Sequence, residues 1–149
     1  MTLQPAVPDR LVGQDNGERE LITPVSLAPH GAASFGYSYG IRTGNIVWIA
    51  GQVPRDGAGN LVGVDDIDAQ ASQVFENLKA VVEAAGGTLL DVVQTTTYIT
   101  ARPYREAVSE VRKRYFQGPI YPTATLLIVA GLGVPEYLVE IEAIAVLRS

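Results

Sequence analysis

Between Ile46 and Ala50 five apolar residues follow one another without a break, whereas between Ala71 and Ala85 apolar residues return in steps of three and four. The two rhythms predict different elements. The unbroken run is entered through the turn dipeptide Gly44-Asn45 and ended by Gly51-Gln52. It reads as the second arm of a β-hairpin over Ser38 to Val53, with both faces covered and Trp48 in the core. The spaced set Ala71, Val74, Phe75, Leu78, Val81, Val82 and Ala85 forms one helical stripe. Asp65, Asp66 and Asp68 supply its start signals and Gly86-Gly87 its stop. Asp91 to Thr100, rich in Val, Thr and Tyr, reads as a strand. Pro103 then opens a second helix, striped by Tyr104, Ala107, Val108, Val111 and Tyr115. Thr123 to Val129 and Leu138 to Leu147 predict two further strands, joined by the Gly131–Pro135 turn. Arg19 to Val25 reads as an edge strand that Pro24 weakens. Residues 1–18 have no periodicity and read as an N-terminal extension, laid along a neighbour or simply disordered. The rest, residues 19–149, is one domain. Its fold class is α+β: a mixed sheet with two helices on one face.

Two helices cover only one face of such a sheet. The period of two puts Val139, Ile141, Ala143 and Ala145 on one side of the last strand, and Glu140, Glu142 and Ile144 on the other. The hairpin arm and the strand after the second helix are apolar on both sides too. The uncovered face spans on the order of 400 Å² from strand spacing and length. An apolar patch of that size predicts a homo-oligomer whose sheets pack together, the alternative being that the N-terminal extension folds over it. Glu140 on that face, with Glu142 two residues on, is a candidate general acid or base, since a desolvated carboxylate beside another is held protonated to higher pH. The competing reading is that both carboxylates reach solvent or pair with a neighbour's Lys or Arg.

Composition narrows the chemistry. The chain of 149 residues carries 11 Lys and Arg against 16 Asp and Glu, a formal charge of −5, and has no clustered basic stripe. A nucleic-acid partner is therefore not expected. There is no cysteine and one histidine, His30, in a Pro/Gly-rich loop; thiolate chemistry and a multi-His metal site are not expected. No apolar run approaches a membrane span and the first residues lack a signal-peptide pattern, so a cytoplasmic protein without membrane contact is expected.

Five blocks in order carry a resemblance: GYSYGIRTGNIVWIAGQVP (Gly36–Pro54), NLKAVVEAAGG (Asn77–Gly87), DVVQTTTYI (Asp91–Ile99), Tyr121-Pro122, and VEIEAIA (Val139–Ala145). Together they resemble the Rid family of reactive-intermediate deaminases, also labelled YjgF or endoribonuclease L-PSP, over roughly residues 19 to 148. The resemblance implies a chorismate-mutase-like fold and a homotrimer with a central barrel and small-molecule clefts between subunits. It also implies hydrolysis of enamines and imines to a 2-keto acid and ammonia; no cofactor is expected. Carried over, Glu140 positions or activates water, while Tyr37, Gly51 and Gln52 line the pocket.

The family's carboxylate-clamping arginine follows the Tyr-Pro dipeptide by two residues, and here Ala124 stands in that place. Leu126 replaces a small polar pocket residue, Val108 a pocket asparagine, and Thr123 and Thr125 flank Ala124 as possible donors. A substrate carboxylate left without a partner in such a cleft would cost on the order of several kcal/mol. The expected substrate is therefore neutral or more apolar, unless Arg55 or Arg42 enters from an adjacent subunit. The readings ranked on this basis are an arginine-lacking Rid-type C–N hydrolase, a non-catalytic trimeric binding protein, and last an endoribonuclease or translation inhibitor.

Overall fold

A computed structural model describes residues 10–11, 14–15, 19–27 and 32–149. Its elements in chain order are β1 (Arg10–Leu11), β2 (Gln14–Asp15), β3 (Arg19–Pro24), β4 (Gly40–Thr43), β5 (Ile46–Gln52), α1 (Ile67–Ala84), β6 (Val92–Ile99), α2 (Tyr104–Tyr115), β7 (Thr123–Ile128) and β8 (Val139–Val146), with short 3-10 turns at Ala33–Phe35 and Leu89–Asp91. One sheet runs β1-β3-β4-β5-β8-β6-β7, with β2 also on β3. All pairs are antiparallel except β6 with β7, the pair that α2 connects. This is the mixed α+β sheet that the alternating patterns predict. Part of the N-terminal extension lies along its own chain, as β1 and β2; His30 lies outside the described residues.

α1 begins where Asp66 caps the amide of Ala69 at 3.0 Å. It ends where Gly86 takes φ +92, a left-handed conformation that favours glycine, and the amides of Gly86 and Gly87 return to the carbonyls of Glu83 and Val82. Its stripe of Ala71, Val74, Phe75, Leu78, Val81 and Val82 is fully buried against Val47, Ile49, Ile141, Ala143 and Ala145 of the sheet. Phe75 stacks on Tyr115 of α2 with centroids 5.2 Å apart.

No described helix covers the opposite sheet face. Trp48, expected in the core, is 49% exposed there. Alternation decides this: Val47 and Ile49 take the helix-covered side, and the indole goes to the other, where Nε1 donates to Thr43 Oγ1 at 3.3 Å. β7 is an edge strand with Leu127 and Ile128 each 45% exposed.

One buried polar group ties α1 to the segment entering β8. The Gln70 side chain has no exposed surface; it donates to the carbonyls of Gly63 (3.0 Å) and Glu136 (2.9 Å) and accepts from the amide of Leu138 (2.8 Å). Gln70→Leu keeps the volume and strands these three backbone groups, so it should destabilise the fold by about 2–4 kcal/mol, read as a lower urea midpoint at unchanged slope.

Candidate functional site

The site is built on an irregularity of β5. Ile49 pairs with Ala143 and Gln52 with Ile141, so three steps on β5 span two on β8. The extra residue is a β-bulge at Ala50-Gly51, which turns the strand outward. Gln52, 2% exposed, folds its side chain back and donates to the carbonyl of Ala50 at 2.8 Å. The bulge presses Gly51 against Glu140 of β8. A Cβ on Gly51 would stand 2.1 Å from Glu140 Oε1, closer than any side chain permits. Glycine leaves room for the carboxylate where it stands; any side chain there would make the end of Glu140 move aside.

Glu140 is half-buried, and burial raises its pKa above 4.5, with the Glu142 carboxylate adding to the rise. No hydrogen bond from a described residue offsets this. Glu142 is differently placed: it is exposed and accepts the Tyr98 hydroxyl at 2.9 Å. Glu140 is thus a desolvated carboxyl that binds its proton more tightly than a free one, whereas Glu142 stands at the surface on the Tyr98 hydroxyl.

Around Glu140 lies a cavity of about 850 Å³. Tyr37, Tyr39 and Phe35 form its aromatic wall, and Gly51 and Gln52 its floor. Tyr37 and Tyr39 meet edge to face at 6.4 Å. The Tyr37 pKa is raised by burial, then by Glu140 and Tyr137, so its hydroxyl remains a donor. Arg55 and Tyr137 also line it.

Four of the residues expected from sequence, Glu140, Tyr37, Gly51 and Gln52, thus border one cavity. Ala124, Thr125 and Leu126 do not: they lie on edge strand β7, separated from β8 by β6. Ala124 pairs with the buried Thr95 and so faces the helix side, opposite to Glu140. Val108, expected at the pocket, is instead 0% exposed and packs in the core, because the α2 stripe that carries it faces the sheet. Thr123 gives its hydroxyl to the Val93 carbonyl at 3.1 Å. Arg42 is tied to the carbonyls of Gly44 and Ala85 outside the cavity.

Arg55 changes the expected chemistry. The sequence led to a cleft with no guanidinium, or one lent by a neighbour; this arginine borders the Glu140 cavity from the same chain. Its backbone is held by a residue that sequence reasoning passed over. Asn77, 5% exposed on α1, donates to the carbonyls of Val53 (2.9 Å) and Arg55 (2.8 Å). The signal was present: an amide set inside an otherwise apolar stripe, where only a built-in partner offsets its burial.

The Endoribonuclease L-PSP family model matches residues 27–147. A RutC family protein of Pyrococcus horikoshii is 40% identical over 73% of this chain and 85% of its own length. A 2-iminobutanoate/2-iminopropanoate deaminase of Dermatophagoides farinae is 35% identical over 88% of this chain and 98% of its own. Among solved structures, the Rid-family protein YyfA of Yersinia pestis has TM-score 0.79 at 34% identity, covering 87% of this chain and 99% of that one.

Because the folded protein holds the Glu140 proton more tightly than the unfolded chain does, stability falls as pH rises from the ordinary carboxylate value through the raised one. Glu140→Gln should therefore melt at a higher temperature than wild type at pH 7, with the difference vanishing below pH 4.5; differential scanning calorimetry across pH checks this.

Proposed function

The chain belongs to the Endoribonuclease L-PSP (Rid/YjgF) family, and on that premise we propose that it hydrolyses a C=N bond, or the enamine tautomer of one, in a small molecule. The observation that carries this reading is the desolvated, proton-retaining Glu140 packed against Gly51. Glu140 takes a proton from a water molecule as the water oxygen bonds to the imine carbon. It then delivers that proton to the nitrogen of the carbinolamine formed from the protonated imine; the C–N bond breaks as the carbinol hydroxyl gives its proton to solvent, and a carbonyl compound and ammonia leave. The Gly51 amide polarises the reacting atom, and Tyr37 packs on the substrate and donates from its hydroxyl. The named activity of the mite relative supports this chemistry.

The working unit in this reading is a homotrimer with its clefts between subunits. The open sheet face bearing Trp48 and the exposed apolar edge of β7 support it, because an uncovered edge strand is a surface that soluble proteins cover or blunt. Ala124, Thr125 and Leu126 then reach a ligand only as the wall that one subunit offers to the Glu140 cavity of the next. In this reading Ala124, at the position where the resemblance puts an arginine, places the chain in an arginine-lacking subgroup.

Glu140→Gln should abolish ammonia release from a panel of imines generated in situ while leaving a particle of about three times the 15.9 kDa chain mass in light scattering. Wild type that releases no ammonia, yet is thermally stabilised by cleft ligands, would mark a binding protein instead. Sedimentation of wild type as a monomer would refute the intersubunit cleft.

A further inference from the structure

Arg55 is held as a binding group would be, yet no anion among the described residues pairs with it. A guanidinium has five N–H donors in a planar fork. Here Nε–H is directed at the Tyr137 hydroxyl and Nη1 at the Gly59 carbonyl, while the ring of Tyr137 lies 5.4 Å below the guanidinium carbon. The remaining donors have no hydrogen-bond partner among the described residues, and no carboxylate of a described residue lies within salt-bridge range. Asp56, which also borders the cavity, spends Oδ1 on the amides of Ala58 and Asn60.

The support beneath Arg55 is rigid. Asn77 grips the chain on both sides of Pro54, Arg55 pairs with Leu61 as an isolated bridge, and Tyr137 is 5% exposed. Tyr137 also stands three residues before Glu140, so one short stretch of chain carries both the partner of the cation and the acid. A side chain fixed this way loses little freedom when it takes a ligand.

We propose that Arg55 receives the anionic group of the substrate, so that carboxylate recognition and the acid/base Glu140 reside on one subunit. This rests on the C–N hydrolase reading of the same cavity and deepens it by assigning the residue of this chain that would select a substrate bearing a carboxylate. The Nη donors left over suit a charge-assisted hydrogen bond with a carboxylate. The aromatic wall of Phe35, Tyr37 and Tyr39 and the cavity of about 850 Å³ take the apolar part. The loss of the arginine at position 124 then moves the anion site to another part of the fold rather than removing it.

The test uses binding, so that it does not depend on turnover. Full-length protein is titrated calorimetrically at low salt with 2-oxo-4-phenylbutanoate and with its neutral counterpart, 4-phenyl-2-butanone. Wild type should prefer the acid by about tenfold or more, as a charge-assisted contact implies. Arg55→Met should remove the preference by weakening the acid alone, Arg55→Lys should restore part of it, and Glu140→Gln should retain it. Equal affinity of wild type for the two probes, binding of neither, or a preference that survives in Arg55→Met would overturn the proposal. Wild type that shows the preference but hydrolyses no imine would sink the hydrolase reading and leave the anion site standing.

Discussion

The contact between the Glu140 carboxylate and the bare backbone of Gly51 governs the site. It requires three things at once: a bulge that brings β5 outward, a residue with no side chain at its crest, and a β8 residue that faces away from the helices. Each follows from a different level of structure. Strand alternation sends Glu140 to the uncovered face, the Gln52 side chain closes the bulge on the Ala50 carbonyl, and the absence of a Cβ admits the carboxylate. Proximity to protein in place of water is what raises the proton affinity of Glu140, so the same packing that fixes its position also sets its chemistry.

α1 serves two purposes with one stripe. Its apolar residues bury the helix on the sheet, and the two amides among them, Gln70 and Asn77, reach past the core to opposite ends of the site. Gln70 holds the chain entering β8, which carries Tyr137 and Glu140, while Asn77 holds the loop that carries Arg55. The core helix is therefore the common frame for both charged groups. A buried amide with all its partners satisfied specifies a single arrangement, where an apolar residue of equal size would permit several.

The fold was legible because its periodicities are clean: every strand of four or more residues and both long helices follow from alternation, stripes, caps and turn dipeptides. Glu140, Tyr37, Gly51 and Gln52 were legible from motif and order. Trp48 was misplaced because an apolar run does not say whether both faces are covered within one chain, and Val108 because a motif carried onto a helix does not say which way the residue faces, whereas its place in the apolar stripe does. Arg55 and Asn77 were underweighted for a shared reason. An arginine in a turn and an asparagine in a helix each have an ordinary surface explanation; only the distance of 2.8 Å between the Asn77 amide and the Arg55 carbonyl makes them one device.

The indole of Trp48 is the sole one in the sequence, and it stands on the bare side of the sheet beside Thr43. The protein thereby contains an optical gauge at the place where a second copy would settle. Its ultraviolet emission is red while that face meets water and shifts toward the blue when apolar matter covers it, with no competing tryptophan to dilute the signal.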